Sequence, residues 1–201
     1  MSTQLPYQSY TRSNLARRWF TSDLHFGHQL CTSLRCFPFI ETMNEILAEN
    51  WKKLVQLDDE IFVIGDAAMG RRVETIPIFG TLPGKKYLVP GNHDKCGPWN
   101  YNDWDLYSKY FTILPPKYDL ELENGESVLL CHFPYENLDH PENPRYLAFW
   151  PENCGKWLLH GHTHSSKRQQ RPKTVHVGVD AWNFRPVSEL EILNLICEGE
   201  K

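Results

Sequence analysis

The sequence predicts an α/β protein with mixed β-sheets. Short apolar runs alternate with a helical period early in the chain and give way to mostly strand-like runs later, which fits mixed rather than purely parallel sheets. Five of these runs end in loops crowded with Asp, His and Asn. Active sites of open α/β sheets lie there, beyond the carboxyl ends of the strands.

Residues 1–17 are polar and aperiodic, and are expected as an N-terminal arm ahead of one domain spanning 18–201. The first strand, 19–21, runs into the S-D-L-H-F-G-H loop at 22–28. A helix is predicted over 41–54, where Met43, Ile46, Leu47, Trp51 and Leu54 recur at helical spacing. The second strand, 61–64, enters Gly65-Asp66, and the third, 87–89, enters the loop 90–94 with Gly91-Asn92-His93-Asp94. Runs 117–122 and 127–131 flank Asn124-Gly125, a hairpin turn signal, and the second delivers His132. A strand over 156–159 leads to the loop 160–164, and two more strands are expected at 174–179 and 189–196. The long segment 133–153 has no regular signal and is a candidate functional loop, with Tyr135 and Arg145 as candidate cleft residues.

With 201 residues the chain suits one domain, and 41% hydrophobic with 23% charged residues is ordinary for a globular protein. A net charge of −4 lacks the basic footprint of a protein that grips long nucleic acid. No apolar run reaches the roughly 18 residues a membrane span needs. The N-terminus lacks the apolar region of a secretory signal, and the six cysteines are scattered without a C-x-x-C pair. Reduced thiols in a cytoplasmic protein are therefore expected.

The chemistry is in the loops. Asp23 and His25, two apart at a strand end, are expected to project to one side and meet on one ion. Gly65 lets the backbone turn so that the Asp66 carboxylate points back over its strand. Asn92 offers a neutral oxygen ligand, and His93 beside it is free for substrate. His162 and His164 repeat the two-apart spacing with imidazoles. Each motif alone has an ordinary structural explanation, such as a cap, a turn or a surface polar pair. The ordered set D-x-H, G-D, G-N-H-D, H and G-H-x-H is far more specific.

That ordered set resembles the calcineurin-like metallophosphoesterase superfamily from about residue 19 to the C-terminus. The S-D-L-H-F-G-H opening and V-G-V-D-A-W-N at 177–183 resemble its small, single-domain bacterial and phage-type members. The resemblance implies a four-layer αββα sandwich with a dinuclear metal site at the strand carboxyl ends. It implies that Asp23, His25 and His164 hold one metal, that Asp66 bridges both, and that Asn92, His132 and His162 complete the second site. His93 would act near the scissile phosphate as acid or electrostatic stabiliser. None of these eight positions departs from the family pattern.

The oxygen and imidazole donors suit two divalent ions, Mn2+, Fe, Ni2+ or Zn2+. The expected activity is hydrolysis of phosphoesters through a hydroxide bridging the metals. The substrates would be small diesters such as nucleotides, since a poor alkoxide leaving group needs an acid such as His93. The alternatives are a nuclease acting on nucleic acid ends and a non-catalytic, metal-stabilised interaction module. Secondary candidates are His28, as phosphate contact or helix cap, and Asp180, as orienting partner of a ligand histidine. Arg71, Arg72 and Lys95 are further candidates, as phosphate-binding or plain surface charges. Trp99 and Tyr101 precede Trp104, Tyr107 and Phe111, whose helical spacing predicts a buried helix face.

Overall fold

In a computed structural model, residues 16–135 and 146–199 of the protein are described. The expectation for Arg145 lies outside the described residues, as does that for the N-terminal arm before residue 16.

The elements follow one another as β1 (Arg18–Thr21), α1 (Gln29–Leu34), α2 (Ile40–Leu54), β2 (Glu60–Ile64), α3 (Arg72–Thr75), β3 (Lys85–Val89), α4 (Trp104–Tyr107), β4 (Thr112–Ile113), β5 (Lys117–Glu121), β6 (Ser127–Cys131), β7 (Trp157–His160), β8 (Thr174–His176), β9 (Val187–Ser188) and α5 (Glu189–Gly199). The first sheet runs β4-β3-β2-β1-β9 and the second β5-β6-β7-β8. In the first, β1 to β4 pair in parallel and β9 closes the edge antiparallel. In the second, β5 and β6 form the antiparallel hairpin and β6 to β8 are parallel. Both sheets are mixed, as the sequence predicts.

Strand alternation sorts side chains between two cores. Trp19, Ile61, Val63 and Leu88 face a cluster completed by Met43, Leu47 and Trp51 of α2. Phe20, Phe62, Ile64 and Val89 share the other cluster with Val128, Leu130, Trp157, Leu159 and Val175 of the second sheet. Phe20, Phe62 and Tyr87 stack side by side across this face, with centroids 5.6 and 4.9 Å apart. A third cluster, Leu129, Cys131 and Leu158, is covered by Phe133, Tyr135, Tyr146, Phe149 and Trp150, so among the described residues aromatic side chains cap this face.

One element differs in type from its prediction. Residues 189–196 are helical, not extended. Ser188 and Glu191 exchange hydrogen bonds, with the Ser188 N–H donating to the Glu191 carboxylate (3.0 Å) and the Glu191 N–H to the Ser188 hydroxyl (3.3 Å). This reciprocal capping starts α5. Ile192 and Ile196, four apart, then bury on the inter-sheet core. On the aromatic segment, Tyr107 and Phe111 are buried, whereas Trp104 is exposed and packs edge-on against Tyr101. The α4 helix is one turn long, too short to bury all three.

Candidate metal centre

The strand ends of both sheets meet at one point. β1 continues past Thr21 through a bridge between Ser22 and Gly178, which joins the first sheet to the chain leaving β8. The Asp23 and His25 N–H groups donate to the Gly65 and Asp66 carbonyls at 3.1 and 3.0 Å, so the first two loops travel together.

The convergence of D-x-H does not come from the strand pleat. Asp23, His25, Asp66, His162 and His164 all have left-handed backbones, with φ of 55, 51, 54, 71 and 50°. A residue with a Cβ pays roughly 1–2 kcal/mol for that conformation. Strain of this kind concentrated on five acidic and imidazole side chains at one point is the mark of a functional site. The glycines serve close approach. A Cβ on Gly91 would overlap Asp66, and one on Gly161 would overlap Ser22 and crowd Asp23.

The Asp66 carboxylate sits at the centre. Its Oδ2 lies 3.4 Å from His132 Nε2, 3.5 Å from His25 Nε2 and 4.0 Å from His93 Nε2, and its Oδ1 accepts the His93 N–H at 2.9 Å. His25 Nε2 and His164 Nε2 face each other at 3.2 Å. The Asn92 Oδ1 lies 3.0 Å from His132 Nε2 and 3.1 Å from His162 Nδ1. Asp23 accepts the His162 N–H on both oxygens and lies 3.9 Å from His164 Nε2. The structure thus brings Asp23, His25, Asp66, Asn92, His132, His162 and His164 together, with His93 at the rim.

The rings are oriented from behind. The His132 Nδ1–H donates to the Ile64 carbonyl (2.9 Å), which turns Nε2 inward as the atom that a cation would take in place of a proton. His164 Nδ1 donates to Asp180 (3.1 Å), and Arg35 grips the same carboxylate with two 2.8 Å hydrogen bonds. Arg35 also donates to the Asp23 carbonyl at 2.6 Å and the Leu24 carbonyl at 3.2 Å. Asp94 lies beneath the loops. It accepts from the Gly91, Asp66 and Ala67 N–H groups and from the Tyr107 hydroxyl. His176, fully buried, stands 3.8 Å behind Asp23. Sequence reading assigned no role to Arg35, Asp94 or His176. Arg35 and His176 act across long stretches of chain that no local spacing marks, whereas Asp94 closes the Gly91-Asn92-His93-Asp94 motif and ties its own loop to the Asp66 loop.

Of the secondary candidates, His28 occupies the N-cap position of α1 without capping it. Its Nδ1 lies 2.9 Å from Cys31 Sγ, and its ring packs 4.9 Å from His25 and 6.1 Å from His93. Lys95 borders the cavity next to His93. Arg71 is exposed and paired with Glu74, away from that cavity, whereas Arg72 lines it. At the start of α3 it is the second arginine, Arg72, that folds inward.

Electrostatics fit cation binding. Burial opposes ionisation of Asp66, yet the surrounding histidines, His132 foremost, hold it well below the usual carboxylate range. Burial lowers His132, but Asp66 outweighs it and pushes that imidazole up to about 9. Burial brings His25 down to about 3 and His162 to about 4, so both offer neutral nitrogen. Two buried carboxylates and several inward lone pairs repel one another unless protons or cations stand between them. Among the described residues three groups of donors have ligand atoms within 4.8 Å of one another: Asp23-His25-His164, Asp23-Asp66-His132 and, beside them, His25-His28-Cys31. These residues fit divalent metal.

The chain is similar to known proteins in sequence and fold. Residues 16–166 match the calcineurin-like phosphoesterase family. The Gene 66 protein of Mycobacterium phage L5 is 34% identical, over 90% of this chain and 95% of its own length. The uncharacterized protein MJ1445 of Methanocaldococcus jannaschii is 26% identical, over 93% of this chain and 95% of its own. The crystal structure of AQ665 from Aquifex aeolicus, a protein of unknown function, superposes with a TM-score of 0.70 at 25% identity, covering 90% of this chain and all of that one. A family match over most of the chain, on a fold that gathers the acidic and imidazole side chains at one point, places the protein among the calcineurin-like phosphoesterases, whose chemistry is metal-dependent phosphoester hydrolysis.

Proposed function

We propose that the protein is a phosphodiesterase acting on nucleotides or related small diesters, with two divalent cations held by Asp23, His25, Asp66, Asn92, His132, His162 and His164. The observation that carries this reading is the Asp66 carboxylate, one oxygen of which lies within 4.0 Å of imidazoles delivered by both sheets. Asp23, His25 and His164 form one site and Asn92, His132 and His162 the other, with Asp66 shared. Mn2+, Fe, Ni2+ or Zn2+ suits such donors. Bound cations supply Lewis acidity that draws charge from the phosphoryl group and acidifies water near neutral pH.

The chain's own groups do the rest. The His93 backbone is fixed by its N–H bond to Asp66 and by the Arg72 guanidinium, which donates to its carbonyl at 2.9 Å. The His93 side chain is 40% exposed, so substrate can reach it. Its imidazole holds a proton for the departing alkoxide oxygen, the step a diester needs most. His28, beside it, is placed to donate to a phosphoryl oxygen. The cysteines, all unpaired, suit a reducing compartment such as the cytoplasm.

The test is hydrolysis of bis-p-nitrophenyl phosphate and p-nitrophenyl phosphate by metal-stripped protein, with Mn2+, Ni2+, Zn2+ and Fe2+ restored singly. Diester turnover is expected to return with metal and to fall on the order of 10²–10⁴ in His93→Ala while metal binding persists. Metal binding with turnover of neither ester would sink the reading in favour of a metal-stabilised interaction module.

A further inference from the structure

A polar cavity of about 310 Å³ opens beside Asn92 and His93 and continues along Arg72, Lys95, Trp99 and Asn100. Two basic side chains on so small a cavity, in a chain of net charge −4, call for an anion. Arg72 is 14% exposed, and the carboxylate nearest it among the described residues, Asp103, stands 3.9 Å away without a hydrogen bond. The Lys95 ammonium has no ion pair among the described residues. Asp94 also borders the cavity, but both its oxygens are committed to the three N–H groups and the Tyr107 hydroxyl named above. Asn100 accepts the Asn102 N–H on its side-chain oxygen (3.0 Å), which leaves its amide N–H groups to donate. Trp99 is held as a rigid wall. Its indole N–H donates to the Asp94 carbonyl at 3.2 Å, and its ring packs edge-on against Phe149 at 4.8 Å.

We propose that this cavity is a second anion subsite, which binds a phosphate carried by the leaving alcohol of the scissile diester. The substrate class is then a phosphodiester with a further phosphoryl group on its leaving side. This rests on the phosphodiesterase reading above. The leaving side is assigned because the cavity shares His93, the group that protonates the departing oxygen. Arg72 and Lys95 supply charge-assisted hydrogen bonds to phosphate oxygens. The Trp99 face offers a flat surface to a planar ring on the same alcohol.

The thymidine dinucleotides pTpT and TpT differ by one phosphate, and in pTpT a departing 3′-oxygen belongs to a 5′-phosphorylated alcohol. Binding of their phosphorothioate-linked forms to Mn2+-loaded protein is measured by calorimetry, and cleavage of the natural forms as kcat/KM. Wild-type protein is expected to favour pTpT on the order of tenfold in both, an advantage that shrinks towards one in Lys95→Met. Lys109→Met, which removes the same charge from an exposed position elsewhere, is expected to keep the advantage. Equal binding of the two by wild type, or an advantage that survives in Lys95→Met, overturns the subsite. Binding is read without turnover, so a protein that binds pTpT selectively yet cleaves neither dinucleotide nor bis-p-nitrophenyl phosphate refutes the phosphodiesterase reading and retains the cavity as an anion site.

Discussion

Arg35 supports the Asp23 and His164 side of the candidate centre from behind. One guanidinium fixes the Asp180 carboxylate that orients His164, and also the backbone carbonyls of Asp23 and Leu24. Partners behind a metal-binding histidine typically tune affinity by 10–100-fold. Lysine keeps the charge but lacks the planar fork that spans both carboxylate oxygens. Arg35→Lys is therefore expected to weaken Mn2+ binding by roughly 10–100-fold, read by calorimetry, with far-UV circular dichroism unchanged. Unaltered affinity would show that His164 is oriented without Arg35. The contrast with Asp23 and His25 explains what sequence can reveal at this scale. Those two stand two apart, and their chemistry is written in their spacing. Arg35 lies 145 residues from Asp180, and no pattern in its neighbours announces the pairing. Spacing also singled out residues that the structure brings together, but for an incomplete reason, since left-handed backbone rather than strand pleat turns them inward.

At the scale of elements, α5 shows how a helix hides inside a strand-like run. Its Ile and Leu content suggested an extended segment, yet Ser188-x-x-Glu191 is a capping-box spacing and Ile192 and Ile196 are one helical turn apart. The strands that deliver the candidate site were legible because each is a short apolar run ending at a glycine or a ligand-type residue. Beyond its capping role, Glu191 is clamped by Arg185, with oxygens 2.7 and 3.2 Å from the guanidinium. Burial opposes its ionisation, but Arg185 and Ser188 dominate and hold it down at about 2. Because the folded value lies below the unfolded one, its stabilisation is complete above the unfolded value near 4.3 and disappears as pH falls towards about 2. Glutamine can keep the capping geometry while losing the charge. Glu191→Gln is expected to lower Tm at pH 7 and to match wild type near pH 2. A Tm deficit that persists undiminished at that pH would mean that the carboxylate's charge is not what matters.

For the whole molecule, the centre is a seam between the sheets. Asp23, His25, Asp66 and Asn92 come from the loops of the first sheet, and His132, His162 and His164 from those of the second. The order of the motifs was readable from sequence, but their division between two sheets was not, because strand pairing is a long-range property that no single run encodes. Apolar packing of Phe20, Phe62, Val128, Leu130 and Trp157 holds the sheets together at depth, whereas at the strand ends the facing groups are carboxylates and imidazoles. There, without cations, only a proton shared between groups such as Asp66 and His132 offsets the crowding of carboxylates and ring nitrogens, so metal should tie the sheets where packing does not. A ligand that binds only the folded state, present at a hundredfold over its Kd, adds about 2.7 kcal/mol. For a chain of this size each kcal/mol moves Tm by roughly 2–4 °C. Metal-stripped protein is thus expected to melt roughly 5–11 °C below protein saturated with Mn2+. Asp66→Asn, which weakens the one side chain shared by both proposed sites, should lose most of that increment. If saturating metal left Tm of the wild type unchanged while calorimetry recorded binding at the same concentration, the ions would have to bind folded and unfolded chains alike, and the seam would be held by protein contacts alone.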